Sequence, residues 1–537
     1  MSKPDSSEKP PGGFDSSPLP AAPPGYTLRF TFHSARNLAP ADISSASSDP
    51  FLHATLKAPG VKRHKEDPDL TYRTRTHHTT TNPDWKEEWV VANVPPSGFT
   101  LKCRLYDEDR NNANDRLGNV TVKIPQVYED WEGIPPPGQV FAAKKRVMSK
   151  RAFVAKALMV LCSSGTHMAP LVRISIEVLG KSAPPHGQMH TLSPTKWIKH
   201  FSPMIGRLVG MTVNQNEEDD TRAQGNQNGT TSENQKYDFQ ANEMQLAGPV
   251  PPELYHRFVE FRPVIGSMFE SKGLRGKILN KALHKQHARI YNFDQSTEYG
   301  TFEPRSEEAT RQFLKMAHYD EGCRTFTYVL TLDGTFRFTE TGKEFGIDLL
   351  SKHTMHSDVA TYIAFSGEFL IRRLENPNAS EKVQPDQKTH PTEPIPGGPP
   401  DDSPPANPSY YQLIIDNDSG TYRPNKDMLP KLKEFFEDNF PGLGVVVMHC
   451  EDQNLQDLKE AQRQAKKNEG GMMQFVLNRS QSSLSSNESD LESRADDWEQ
   501  GHQSKREKVF NAVEDPKAFK KAVGSKLRHP NSGGPSQ

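Results

Sequence analysis

Five aspartates in two short stretches are the residues of this sequence best suited to chemistry. Asp107, Asp109 and Asp115 follow an apolar strand in the pattern D-x-D-x5-D, and Asp42 and Asp49 flank a serine-rich stretch ahead of another strand. Aspartate is a poor strand and helix former, so both clusters are loop residues between strands. Two such loops side by side would bring five carboxylates to one end of a domain. Each like-charge pair about 4 Å apart then costs roughly 4 kcal/mol at an effective dielectric of about 20. A cation relieves that repulsion. Hard oxygen ligands on flexible loops, with no Cys or His among them, suit calcium rather than zinc.

The elements that must position these loops are short strands. Leu28, Phe30 and Phe32 alternate with Arg29, Thr31 and His33, the pattern of a half-buried strand. Further strands are predicted over 51–57, 72–77, 85–91, 99–106, 119–124 and 172–179. Regular short strands separated by turn signals make a sandwich. Three stretches then carry a resemblance: Ser48-Asp49-Pro50-Phe51, Asn82-Pro83-Asp84-Trp85-Lys86-Glu87-Glu88-Trp89, and the run from Asp107 to Gly118. Together they resemble a C2 domain. That family implies an all-β sandwich, here over 25–180, which takes Ca2+ in its top loops and docks on anionic phospholipid such as phosphatidylserine. Carried over position by position, the resemblance implies Asp42, Asp49, Asp107, Asp109 and Asp115 as ligands. Six residues separate Asp42 from Asp49 where five is usual in the family, while the second loop fits the family spacing. The closing strand follows the aspartate loops and none precedes Tyr26, which predicts the circularly permuted form of the fold.

Basic residues suggest how such a domain would meet a membrane. Lys57, Lys62, Arg63, Lys65, Arg73 and Arg75 form either a phosphoinositide site or solvated surface charge. An insertion over 139–162 carries Lys144, Lys145, Arg146, Lys150, Arg151 and Lys156, with no acidic residue between 140 and 156. Its apolar residues recur at Phe141, Met148, Ala155 and Met159, which predicts a basic amphipathic helix. That helix either lies on an anionic leaflet, where each lysine or arginine contributes about 1 kcal/mol, or caps the sandwich with its charges in water. Ile43 is the one sizeable apolar residue on the first loop tip, and 111–114 is polar. Bridging through calcium is expected rather than deep insertion.

Composition bounds the rest. With 66 Lys+Arg against 68 Asp+Glu, bulk charge suggests no nucleic-acid partner. Hydrophobic content of 34% beside 44 Pro and 36 Gly predicts disordered segments, assigned to 1–24, a linker over 181–250, and an acidic, Ser-rich tail over 469–537 with a short basic segment. The four cysteines form no CxxC pair, which fits a reducing compartment. Residues 1–24 lack the apolar core of a signal peptide, and no apolar run approaches 18 residues. These features predict a cytoplasmic protein, peripheral on membranes.

A second ordered region over 251–468 is predicted as an α+β or α/β domain. Its signals are helices over 258–283 and 358–365, a hairpin around Asp333-Gly334, a strand over 368–373, a Pro-rich loop over 376–407, and strand-helix-strand-helix over 411–467. Phe338 to Gly342, Lys352 to Ser357 and Asp416 to Tyr422 resemble an uncharacterised region that accompanies C2 domains in some fungal proteins. No activity is known for it. His353 and His356, three residues apart, together with Asp416 and Asp418, are a candidate second site for a metal or for hydrolysis. Their ordinary reading is solvated histidines and a polar turn. No G-x-S-x-G elbow, Walker A loop, kinase H-R-D or H-E-x-x-H is present. Three functions therefore stay open. One is calcium-dependent membrane recruitment of an interaction or scaffold domain, in signalling or membrane trafficking. The second is a lipid-directed hydrolase anchored by the C2 domain, and the third a calcium-independent protein-interaction C2 protein.

Overall fold

The computed structural model describes residues 22–41, 47–59, 62, 67–108, 114–144, 154, 156–157, 169–201, 240–255, 297–319, 324–341, 363–374, 406–420 and 422–468. The first strands are β1 (Tyr26–Arg36), β2 (Pro50–Lys57), β3 (Leu70–Arg73), β4 (Glu87–Val94), β5 (Phe99–Asp107), β6 (Asp115–Ile124), β7 (Ile134–Ala142), β8 (Leu171–Lys181) and β9 (His190–Ser193). They form a sheet in the order β7-β8-β1-β4-β9 and a second in the order β3-β2-β5-β6. Period-two alternation puts Leu28, Phe30, Phe32, Trp89, Ile174 and Ile176 of one sheet against Leu52, Leu56, Leu101, Cys103 and Leu105 of the other. Each large side chain buried this way contributes about 1.5–3 kcal/mol. Trp89 sits at the centre, its ring 5.6 Å from both Phe30 and Tyr72. The closing strand expected from the sequence is β8, which pairs with β1 from Tyr26↔Lys181 to Arg36↔Leu171.

Strands β10 (Thr195–Phe201), β11 (Gln240–Gln245), β12 (Glu298–Phe302), β13 (Thr325–Thr331), β14 (Thr335–Thr341), β15 (Ile363–Arg373), β16 (Tyr411–Ile415) and β17 (Gly444–Val447) make the other sheet. Its order is β12-β10-β11-β14-β13-β15-β16-β17. Among the described residues three α-helices accompany it: α1 (Glu307–Met316), α2 (Leu429–Asn439) and α3 (Gln453–Asn468). Ser306 caps α1 by accepting the Ala309 N–H, and Glu307 and Glu308 suit its positive end. A phenylalanine cluster fills the core, with Phe313 of α1 stacked 4.5 Å from Phe440 and packed on Phe336, Phe338 and Phe369. Both sheet systems lie within one contact unit.

Several expectations need correction. Among the described residues the second region is mostly β, with β16 and β17 paired in parallel around α2, so the α+β description gives way there to a sheet-rich region with α1, α2 and α3. Residues 363–365, predicted helical, belong to β15, because Ile363, Ala364 and Phe365 are all buried against neighbouring strands. Where a linker was expected, β9, β10 and β11 occupy 190–193, 195–201 and 240–245. The proposed helical insertion starts late, since β7 takes residues up to Ala142; residues 154, 156 and 157 are helical. The hairpin turn is a three-residue loop, Leu332-Asp333-Gly334. Gly334 adopts φ +83°, a conformation that costs glycine little.

Candidate functional site

The ladder of β2, β5 and β6 decides where the aspartates stand. Pro50 pairs with Asp107, and Asp107 pairs with Asp115. Asp49, one residue before Pro50, donates its N–H to Asp107 Oδ1 at 2.6 Å. Its own carboxylate accepts the Thr79 N–H at 2.7 Å through Oδ1, and Oδ2 lies 3.2 Å from His78 Nδ1. Asp107 is 1% exposed. Asp49, Asp107 and Asp115 thus share one end of the four-stranded sheet. Asp42 and Asp109 lie outside the described residues. Among the described residues no three His, Cys, Asp or Glu side chains close into a metal-holding group.

Of the basic residues singled out from sequence, several are engaged within the fold. Lys57 and Lys62 both bond Asp69, at 2.7 and 2.8 Å. Burial opposes the Asp69 charge, but these two lysines outweigh it and lower its pKa. Arg73 lies 3.9 Å over the Phe51 ring and reaches Glu108 Oε2 at 2.9 Å. Arg75 pairs with Glu87 at 3.4 Å on the surface, and Lys144 is exposed. Arg63, Lys65, Lys145, Arg146, Lys150 and Arg151 lie outside the described residues. Lys156 is 1% exposed and bonds Asn37 Oδ1 at 2.5 Å and the Leu38 carbonyl at 3.3 Å. It holds the insertion to the sandwich, and burial lowers its pKa.

A basic face that the sequence reading missed lies on the outer side of the same sheet. Lys102 and Arg104 alternate with core residues of β5, and register sets Arg104 opposite His53 and Lys102 opposite Thr55. His53 in turn pairs with Arg73, and Arg116 stands across from Tyr106, its guanidinium 5.4 Å from that ring. Burial, then Arg104 and Arg73, push His53 down to about 4. Arg104 foremost, then burial, Arg116, Lys57 and Lys144 lower Lys102. The available signal was two basic residues at i and i+2 in a strand whose other face is apolar.

The second candidate cluster is divided. His353 and His356 lie outside the described residues. Asp416, fully buried at the end of β16, accepts the N–H of Glu368 at 2.7 Å and of Asp418 at 3.0 Å, and Lys459 Nζ at 2.5 Å. Lys459 also reaches Glu368 at 2.8 Å. Burial disfavours its charge, but Glu368 and Asp416 prevail and raise its pKa. A Cβ at Gly367 would collide with the Asp416 carbonyl, so glycine is needed there. Asp418 accepts the Gly420 N–H at 2.8 Å and Arg423 Nε at 3.0 Å. Both aspartates hold the turn that leaves β16. The described residues include no helix long and apolar enough to cross a membrane.

Comparison with known proteins places the first sandwich. Over 125 residues the chain is 30% identical to synaptotagmin-1 of Caenorhabditis elegans, covering 22% of this chain and 26% of that protein. Over 106 residues it is 30% identical to E3 ubiquitin-protein ligase Nedd-4 of Drosophila melanogaster, covering 20% of this chain and 10% of that protein. The chain therefore spans about a quarter or less of these relatives' length. A solved C2 domain of plant Extended Synaptotagmin 1 aligns with 30% of this chain and 99% of its own at 15% identity and a TM-score of 0.21. The C2 domain family model matches residues 26–134, a span that runs from the start of β1 through both described aspartate stretches. With its two-sheet sandwich and its aspartates at one end of the ladder, this part of the chain is a C2 domain.

Proposed function

We propose that the C2 domain binds anionic phospholipid membranes in a calcium-dependent manner and recruits the second region as an interaction or scaffold surface. The carrying observation is the register that sets Asp107 beside Asp115 and the Asp49 N–H on Asp107. The donors fit a hard divalent cation, since they are carboxylate oxygens preset by backbone N–H groups. Asp42, Asp49, Asp107, Asp109 and Asp115 would hold the ion. Bound there, calcium neutralises the carboxylates and offers coordination positions to phosphatidylserine oxygens. The chain's own residues orient the carboxylates and supply positive charge alongside.

A second reading has its own support. Lys102, Arg104 and Arg116 on the outer face suit phosphate groups without any metal, at about 1 kcal/mol for each well-placed cation. Sedimentation with phosphatidylserine liposomes separates the two. Calcium-dependent pelleting that is lost in Asp107→Asn/Asp109→Asn supports the first reading. Pelleting indifferent to chelator, and lost in Lys102→Ala/Arg104→Ala, supports the second. No pelleting under any condition sinks both.

A further inference from the structure

The segment from Arg73 to Thr80 touches the aspartate end on one side and the eight-stranded sheet on the other. Toward the aspartates, Thr79 donates its N–H to Asp49 Oδ1 at 2.7 Å. The His77 and Thr80 N–H groups reach the carbonyls of Pro50 and Ser48 at 3.1 and 2.8 Å. Arg73 Nη2 and Thr76 Oγ1 both donate to Glu108 Oε2. Glu108 follows Asp107 directly, and its N–H bonds the Asp49 carbonyl at 2.9 Å. Toward the second sheet, Lys196 Nζ of β10 donates to the Arg73 carbonyl and lies 3.6 Å from Glu87 Oε2. The Tyr299 hydroxyl of β12 donates to the Thr76 carbonyl at 3.1 Å. Two neighbouring strands at one end of the second sheet therefore hold two carbonyls of the segment that orients Glu108 and Asp49.

A calcium site needs several oxygens within about 2.3–2.6 Å of one ion, so small shifts of a loop change affinity. Glu108 lies between Asp107 and Asp109 in sequence, so displacing it moves the backbone that carries both. We infer that Lys196 and Tyr299 are positioning residues for the aspartate loops, a role that presupposes the calcium reading above. The second sheet then sets the calcium affinity of the C2 domain. By thermodynamic reciprocity, calcium stiffens β10 and β12. This gives the second region a means of sensing the membrane-facing end without contacting lipid.

The test uses the full chain and CaCl2 in calorimetric titration, with amide hydrogen exchange read over 195–200 and 298–302. Tyr299→Phe removes one hydroxyl and Lys196→Met one ammonium; each lowers calcium affinity about three- to tenfold at unchanged stoichiometry, the scale of one hydrogen bond. Calcium slows exchange in β10 and β12 of the wild type and leaves Asp107→Asn unchanged. Near-UV circular dichroism checks the fold. If Lys196→Met fails to fold, Tyr299→Phe alone decides. Wild-type affinity in Tyr299→Phe, with exchange in β10 and β12 indifferent to calcium, overturns the positioning role and leaves the calcium reading standing. A wild type that takes up no calcium overturns both.

Discussion

Among the described residues, β5 and β16 each run into a buried aspartate, and the fold treats the two in opposite ways. Asp416, at the end of β16, receives two backbone N–H groups and the Lys459 ammonium, which also serves Glu368. Asp107, at the end of β5, receives the Asp49 N–H and stands in register with a second aspartate, Asp115. One corner takes a cation from within the chain; the other sets two carboxylates side by side. The contrast teaches that neighbouring acids point to a candidate cation site only where no lysine of the chain already bridges them, as Lys459 bridges Asp416 and Glu368. Asp416 and Asp107 look alike in sequence, and the bond from Lys459, 43 residues further on, is what the sequence around Asp416 does not announce.

Breaking the closed corner should have the largest effect. Lys459→Met leaves Asp416 and Glu368 buried without their cation, and about 3–5 kcal/mol of stability should go. Chemical denaturation of the full chain would register this as a lower midpoint. Asp416→Asn added to Lys459→Met should recover part of the loss, because the remaining buried charge is smaller. A Lys459→Met variant as stable as the wild type would show that the corner is not held by charge.

A second buried lysine sharpens the comparison, since Lys196 shifts the other way. Burial foremost, with Glu87 and Glu243 opposing it and Arg73 adding to it, lowers its pKa from 10.5 to about 8. Between these values the unfolded chain holds the proton and the folded chain does not, so stability rises with pH across that window. The gain is about 3 kcal/mol over the full window. Lys459, with its raised pKa, contributes stability that is complete below 10.5 and lost only above it. Denaturation midpoints at several pH values between 8 and 10.5, for wild type and Lys196→Met, should differ in slope, the variant being flatter. Equal slopes would place the Lys196 ammonium in water.

Breaking the open corner should cost less stability and change a different quantity. Asp107→Asn removes one of several like charges while keeping an acceptor for the Asp49 N–H. Its melting temperature in chelator should match the wild type closely. Calcium at a hundredfold excess over its dissociation constant should add about 2.7 kcal/mol to the wild type and nothing to the variant. Calorimetric scans with and without calcium check this. A calcium-dependent rise that survives Asp107→Asn would remove that residue from the ligand set.

Most of the sandwich was legible because strands such as β5 state their inner face by alternation, as Leu101, Cys103 and Leu105 do; β7, half-buried or exposed along its whole length, and the short β9 carry no such pattern and were missed. The aspartate end was legible because motif spacing and strand ends coincide at Asp49 and Asp107. The second region was harder. Ile363 to Phe365 are buried on both faces, so the start of β15 carries no alternation that periodicity could detect, whereas the equally buried β16 was read as a strand from its short apolar run. The partners of Asp416 were hidden for another reason. Lys459 sits on a helix whose other residues are mostly polar, and nothing local to it names a carboxylate on a distant strand. Lys57 and Lys62 illustrate the converse: basic residues in a loop suggested lipid, and Asp69 takes both.

The smallest expected effect concerns the outer face of β5, where the basic surface is composed by register rather than by a run of sequence. Lys102 and Arg104 belong to one strand, His53 and Lys57 to the next, and Arg116 to the third. Repulsion from Arg104 foremost lowers Lys102, while burial, reinforced by Arg104 and Arg73, holds His53 neutral at physiological pH. An anion arriving on this face relieves repulsion already present, much as a cation would at Asp107 and Asp115. Lys102→Ala should weaken binding to phosphatidylserine vesicles by about 1 kcal/mol, near a fivefold loss, at low ionic strength, and by less as salt rises. The same substitution should leave calcium affinity in the absence of lipid unchanged. If it alters calcium affinity without lipid, the two ends of opposite charge act as one site, and the separation drawn between them fails.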